Sequence, residues 1–437
     1  MAQKLPDFAN EVLLCDGAMG TMIQKTKVLK PGQAPELLNL THPEIITAIH
    51  RSYIEVGSRY IGSNTFGGNR IKLENHGVTG DTVRDANFAG VKIAKKAALS
   101  SGVLVAASLG PTGKMIEPLG DLSFDAAYTT FLEQCKIFAE AGADIVTIET
   151  MSDLQETKAA ILAALEVNLP VIASVSFMEN GRLLTGPTPE MVGATLSGFP
   201  LMALGTNCGL SAHLLKPIVE KLFTYSKKPL IVQPNAGKPS LVGDETVYQE
   251  SPSEFADASL ELVRLGARII GGCCGTTPEH IQLLKGLLDQ AKYYYRHPQK
   301  EDYLVGKSSI TNTAVINNPA TVWRLNLGPE EFSWREICRG NSDPLIDELL
   351  EIDSEQFKLI EINGIDLNDR DLEGFQNLVN AVSTYWPHPI GAKLASEALI
   401  KALLTGNSGR SYVITPSKNT ALTESISKYG GLCQPAN

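Results

Sequence analysis

The chain has 437 residues, 43% hydrophobic and 20% charged, the balance of a soluble globular protein. Its formal net charge of −10 argues against nucleic-acid phosphates or an anionic membrane surface as partners. No apolar run approaches the ~20 residues of a bilayer span, and Met1–Phe8 shows no apolar signal-peptide core. Seven cysteines, an odd number, then read as free or metal-bound thiols in a reducing cytoplasm, not as a disulfide framework.

Along residues 1–296, short apolar runs alternate with amphipathic stretches. The runs are Glu11–Cys15, Tyr60–Gly62, Val103–Ala107, Asp144–Ile148, Pro170–Val175, Met202–Gly205, Pro229–Val232 and Arg268–Ile270. Helical patterns fall between them, at Pro43–Val56, Asp81–Leu99, Ser123–Ala141, Asp153–Leu165 and Ser253–Leu265. Thr41, Ser123, Ser253 and Thr277 carry cap signals. Strand and helix alternating in this way predict parallel strands joined by right-handed crossovers, closing into a (β/α)8 TIM barrel. In such a barrel the C-terminal strand ends converge on one face. Here they carry Asp16-Gly-Ala-Met-Gly, Ser63-Asn-Thr, Gly110-Pro-Thr, Glu149-Thr, Ser176-Phe, Asn207-Cys-Gly, Gln233-Pro-Asn and Gly271-Gly-Cys-Cys-Gly.

Three of those groups are thiols. Cys208 follows the sixth run, and Cys273 and Cys274 follow the eighth, close enough around a barrel to share one ion. Three thiolates leave a tetrahedral Zn2+ one open position, the pattern of a catalytic site. Such a centre, of net charge −1, suits keeping a substrate thiol deprotonated yet nucleophilic. A lone strand-end cysteine is ordinarily a packing residue, and Cys15, Cys135, Cys338 and Cys433 are read so. Asp16 and Glu149, at the same mouth, are suited to the ammonium of an amino-acid substrate. The Gly17–Thr21 turn, with Gly17, Ala18, Met19 and Gly20, offers backbone N–H groups for its carboxylate. Asn235 offers an amide oxygen as a temporary fourth ligand. Plainer roles stand beside these: Asp16 as a helix cap, Glu149 in an ion pair, Asn235 as a turn residue. Strand-end histidines are missing, so triad chemistry has little support.

The segments Leu14-Cys-Asp-Gly-Ala-Met-Gly-Thr21, Thr206-Asn-Cys-Gly209, Gln233-Pro-Asn-Ala-Gly237 and Gly271-Gly-Cys-Cys-Gly-Thr-Thr-Pro278 resemble the homocysteine S-methyltransferase family. The likeness is to the N-terminal module of cobalamin-dependent methionine synthases in particular, and covers about residues 8–295. It implies a zinc-bound homocysteine thiolate attacking an activated methyl group to form methionine. Cys208, Cys273 and Cys274 become the zinc ligands, Asp16 and Glu149 contacts to the substrate amine, and Asn235 a resting-state ligand. Residues 297–320 read as a polar linker. From 321 to 437 the chain resembles the opening half of a pterin-binding barrel, through Arg324-Leu-Asn-Leu-Gly-Pro, Leu359-Ile-Glu-Ile-Asn363 and Lys428-Tyr-Gly-Gly431. It departs from that pattern at Pro389-Ile-Gly-Ala-Lys-Leu-Ala-Ser396 and lacks a cobalamin-binding segment. The implied donor is therefore a methylcobalamin-carrying corrinoid protein supplied in trans. Betaine or S-methylmethionine as donor, another thiol as acceptor, and a non-catalytic homocysteine-binding subunit stay open. A half-barrel tail has open sheet edges, so it is expected to form a homodimer, pack on the first barrel or dock a partner.

Overall fold

The computed structural model describes residues 7–8, 11–243, 245–291, 300–328, 330–416 and 419–435. Most of the segment read for an export signal, and residues 297–299 of the linker, lie outside them. The chain forms two compact units, one of Met1–Thr185 with Leu201–Pro298, the other of Gly186–Pro200 with Gln299–Asn437.

The first unit holds β1 (Leu13–Leu14), β2 (Tyr60–Gly62), β3 (Leu104–Leu109), β4 (Ile145–Met151), β5 (Val171–Val175), β6 (Ala203–Ser211) and β7 (Leu230–Asn235). A hairpin, β8 (Pro239–Val242) and β9 (Glu245–Tyr248), precedes the last barrel strand, β10 (Ala267–Ile270). The eight-stranded sheet runs β1-β10-β7-β6-β5-β4-β3-β2, with parallel pairing throughout. A parallel bridge between Cys15 and Tyr60 joins its two ends, and the Asp16 N–H donates to the Tyr60 carbonyl at 3.0 Å. The sheet is a closed (β/α)8 barrel. Its interior is filled by inward side chains of every strand, among them Leu13, Tyr60, Ala106, Ile172, Ile231 and Ile269. A packed interior leaves chemistry only to the strand ends.

Two caps differ from expectation. Ser251, not Ser253, caps helix Pro252–Leu265, closing a reciprocal pair with Glu254. Pro252 takes the first helical position, where its missing N–H costs nothing, so the cap falls one residue before it. His42, not Thr41, precedes helix Pro43–Glu55. Ser123 and Thr277 cap as expected.

After Gln299 the second unit continues with an antiparallel hairpin, β11 (Tyr303–Val305) and β12 (Ile310–Asn312), inside the stretch read as linker. A five-stranded sheet follows: β13 (Val322–Asn326), β14 (Leu359–Asn363), β15 (Ile390–Lys393), β16 (Tyr412–Thr415) and β17 (Leu432–Pro435). The strands are parallel and lie in sequence order. Crossovers of one hand that all advance in one direction put every helix on one face. Phe375, Leu378, Val382, Trp386 and Leu403 form part of the core there. On β14, the buried Glu361 accepts from Arg324 of β13 (3.1 Å) and Tyr412 of β16 (2.6 Å), and pairs with Lys393 of β15 (3.3 Å). Among the described residues, no helix is long and apolar enough to cross a membrane.

Candidate metal centre and substrate pocket

The strand-end thiols meet. One sulfur from each of Cys208, Cys273 and Cys274 lies within 4.8 Å of the others, and Cys208 Sγ is 3.8 Å from Cys274 Sγ. All seven cysteines are free, so the adjacent pair is not a disulfide. Cys208 reaches the cluster through irregular backbone. Its φ is +59°, in the left-handed region, and the β6–β7 register shifts between Asn207 and Ser211. Gly209, at φ +70°, has no room for a side chain: a Cβ would sit 2.8 Å from Ser176 Oγ. A bulge at a strand end re-aims a side chain out of the ladder, here into the mouth. The other two thiols are held by backbone. The Cys273 N–H donates to the Pro234 carbonyl (2.7 Å), and the Ala236 N–H donates to the Cys274 carbonyl (3.0 Å). Thr276 Oγ1 adds a bond to the Cys273 carbonyl at 2.7 Å.

The electrostatics of the cluster call for a cation. Hydrogen bonds from the Cys208 and Cys273 thiols hold Cys274 far below the ordinary thiol range. The Cys273 thiol is pushed up, chiefly by its contacts with the Cys208 and Cys274 sulfurs. Three adjacent sulfurs oppose one another's ionisation, and a divalent cation between them would let all three carry charge. Asn235, which ends β7, is 2% exposed, and its Oδ1 has no hydrogen-bond partner. A buried amide oxygen is rarely left so, and it suits a hard-edged ligand beside a soft thiolate set. The donor set fits zinc.

A second bulge orients a carboxylate. The β4–β5 register shifts between Ile148 and Met151, and Thr150 has φ +60°. Glu149 takes a hydrogen bond from the Ser108 hydroxyl and one from Asn207 Nδ2 at 3.4 Å. No cation is among these partners, so the ion-pair role is not what holds it. Burial pushes its carboxyl up to about 7, against the Ser108 bond, with the Cys274 charge adding to the rise. Asp16 is buried and accepts the Gly62 N–H at 2.8 Å. Burial raises it well above the carboxylate range, and Glu149 raises it further. It caps no helix: helix Gly20–Lys25 is preceded by Met19.

The Gly17–Thr21 turn is only partly open. The Ala18 N–H is spent on Thr276 Oγ1 (3.0 Å), and Tyr53 Oη donates to the Ala18 carbonyl (2.9 Å). A Cβ at Gly17 would meet Thr276 Oγ1 at 2.6 Å, whereas one at Gly20 would meet nothing within 4 Å. The turn's open side is therefore at Met19 and Gly20.

Several residues of the site are not readable from the sequence. Asn207 is the main one: its Oδ1 accepts from the Thr150 N–H (2.7 Å) and Ser174 Oγ (2.8 Å), and its Nδ2 donates to Thr150 Oγ1 (2.7 Å). It ties both bulges together. Tyr248, whose ring lies against the backbone of Gly275 beside the two cysteines, was missed along with its hairpin. The alternation Pro239-Ser-Leu-Val, then Gly243-Asp244, then Glu245-Thr-Val-Tyr is the signal that would have found it.

Fold and site together define a class: a (β/α)8 barrel with a metal-competent thiol cluster and an acidic pocket at its catalytic mouth. The homocysteine S-methyltransferase family model matches residues 13–288, and the chain belongs to that family. It is 30% identical over 295 residues to a methionine synthase of Mycobacterium leprae (strain TN), covering 64% of this chain and 24% of the relative. With a methionine synthase of Mycobacterium tuberculosis (strain ATCC 25618 / H37Rv) it shares 31% over 295 residues, covering 63% and 24%. The chain thus spans about a quarter of the length of these relatives. Among solved structures it is similar to the metallated form of the homocysteine methyltransferase MmuM from Escherichia coli, with TM-score 0.54 and 24% identity. That match covers 63% of this chain and 96% of MmuM. For the apo form the TM-score is 0.51 at 25% identity.

Proposed function

We propose that this protein is a zinc-dependent homocysteine S-methyltransferase that forms methionine. The convergence of Cys208, Cys273 and Cys274 within 4.8 Å at the barrel mouth carries the reading. These three sulfurs would hold Zn2+, and the Asn235 amide oxygen would complete the set until substrate arrives. The ion supplies one thing, a lowered pKa for a substrate thiol at the open position. Asp16 and Glu149 receive the substrate ammonium, a cation that supplies what two carboxylates pushed toward neutrality lack. Backbone at Met19 and Gly20 receives the carboxylate, while Gly17 and Ala18 hold that turn against Thr276 and Tyr53. So oriented, the sulfur lone pair forms the new S–CH3 bond, and the methyl–donor bond breaks with its electrons left on the donor.

The donor in this reading is a methylated corrinoid protein acting in trans. Its support is the resemblance of residues 321–437 to the opening of a pterin-binding barrel, together with the 30–31% identity over 295 residues to methionine synthases. The cytoplasm, where thiols stay reduced, is its place of work. The second unit serves as a dimerisation or docking module. The test is Cys273→Ser. Losing an inner ligand should weaken zinc binding by more than the roughly 100-fold that an outer-shell change can cost, and methionine formation should fall with it. A purified wild-type protein that binds no zinc, or a serine variant that still makes methionine at the wild-type rate, would end this reading. Offering methyl-corrinoid protein, betaine and S-methylmethionine separately identifies the donor.

A further inference from the structure

Glu149 is not held at the mouth by its own strand alone. β2 ends at Gly62, which pairs with Ala106 of β3, and the Ser63 N–H still reaches the Ala106 carbonyl at 2.9 Å. Beyond that point side chains continue the ladder. Ser63 Oγ accepts the Ser108 N–H at 3.3 Å, and Thr65 Oγ1 donates to the Ser108 carbonyl at 2.7 Å. Both backbone groups of Ser108 are thus clasped by hydroxyls of the loop after β2, and all three residues are buried. Leu104 and Ala106 face the barrel interior, so Ser108, two further along β3, faces the mouth by strand alternation. Ile145 does the same on β4, four residues before Glu149.

The count of hydroxyl protons fixes the direction of each bond. Thr65 has one such proton and spends it on the Ser108 carbonyl. In the 2.7 Å contact between Ser63 Oγ and Thr65 Oγ1 the donor is therefore Ser63. Neither hydroxyl has a proton left for a carboxylate. The Ser108 proton is uncommitted by comparison, and among the described residues its acceptor is Glu149.

We propose that Ser108 is a positioning residue of the amino-acid site: clasped by Ser63 and Thr65, it donates to Glu149 and holds that carboxylate in place for the substrate ammonium. The inference rests on reading Glu149 as an ammonium contact. A hydrogen bond to a charged acceptor is stronger and more directional than one between neutral groups, and a binding group held by buried partners loses little freedom when its ligand arrives. Asn207 Nδ2, 3.4 Å from the other carboxylate oxygen, is a longer second hold. The end of β2 serves both acids. Gly62 gives its N–H to Asp16 at 2.8 Å, and the residue after it steadies the donor to Glu149.

Ser108→Ala removes the hydroxyl, and calorimetry on the full-length protein reads two ligands. Norleucine carries the amine without the thiol; hexanoate lacks the amine as well. Norleucine affinity should fall on the order of tenfold, as for a lost bond to a charged group, while hexanoate affinity should not fall. Placed in a Glu149→Gln background, the same change should add little to the loss that Glu149→Gln shows alone. Wild-type norleucine affinity, equal losses for both ligands, or a full further loss in the Glu149→Gln background would each overturn the inference. Should Ser108→Ala not fold, Thr65→Val decides, because it keeps the side-chain shape and removes the bond to the Ser108 carbonyl. Norleucine should then weaken severalfold with hexanoate level, and unaltered norleucine binding would overturn the inference. Norleucine bound equally well by the wild type and by Glu149→Gln would instead remove the ammonium reading beneath it.

Discussion

Glu149 is the side chain at this mouth whose charge is most open to change. Its carboxyl is pushed up to about 7, first by burial, so it changes charge near neutral pH. For the proposed ammonium contact the sign follows directly. As pH falls through about 7, Glu149 takes up a proton and the pocket loses the charge that the ammonium needs. Norleucine has the amino and carboxyl groups of homocysteine but no thiol, so it isolates this contact from the metal. Its dissociation constant should rise on the order of tenfold per pH unit below 7 and level off above, as read by calorimetry; a flat profile would remove Glu149 from the pocket. Glu149→Gln should bind norleucine more weakly at pH 8 and abolish the pH step. It should also stabilise the protein. A carboxyl raised in the fold loses its proton first in the unfolded chain, so stability drops as pH rises from about 4.5 to 7 and stays low above. Removing the charge restores roughly 2 kcal/mol at pH 8, allowing for partial exposure, and little at pH 4. Thermal melts at both values check it; an unchanged melting temperature at pH 8 would refute the cause given for the shift. Gains in stability at the expense of binding are common at sites built for a charged ligand.

At the level of elements, the barrel was legible because each strand is a short apolar run that stops at a turn-rich segment, and helix caps punctuate the rest. The thiols were legible because adjacent cysteines in a glycine frame have no use in packing. What the sequence hid lies in how strands end. β4 continues through Glu149 to Met151, and β6 through Cys208 to Ser211, past the Ile148 and Gly205 where apolar character runs out. Local preference ends these strands early; pairing with β5 and β7 carries them on through a bulge. Left-handed φ at Thr150 and Cys208 costs about 1–3 kcal/mol each, offset by the bonds that Asn207 makes across both. Asparagine in a strand carries no outward sign of this, which is why the sequence places Asn207 at the mouth without a role. Asn207→Ala removes three short hydrogen bonds, one buried and two part-buried, so a loss of about 2–4 kcal/mol is expected in urea denaturation. With the bulges loosened, zinc affinity should fall as well, although Asn207 does not belong to the thiol cluster. Loss of stability with unchanged metal binding would show that the bulges do not position Cys208.

For the molecule as a whole, the second unit poses the sharper question. Its five strands lie in sequence order and do not close, so β13 and β17 each have a single strand neighbour among the described residues. An open parallel sheet exposes two rows of backbone N–H and C=O groups, and such edges recruit partners unless they are blunted. The first edge is little blunted, since Val322-Trp-Arg-Leu-Asn326 has one charge; Leu432-Cys-Gln-Pro435 has none but ends in a proline, which has no N–H to offer a further strand. The sequence announced this unit only through its resemblance to half of a barrel, because the alternation of strand and helix reads the same whether a sheet closes or stays open. A self-complementary edge gives the simplest closed assembly, a twofold dimer. Static light scattering over a concentration series should accordingly return a mass near twice the 47.0 kDa chain, and amide hydrogen exchange should show β13 or β17 protected to the level of the central strand β15. Dilution to monomer should release that protection, since nothing else about the edge changes. A monomer at all concentrations whose edge amides exchange within seconds would leave both rows open to water, and the second unit would then have to be assigned to docking a different protein.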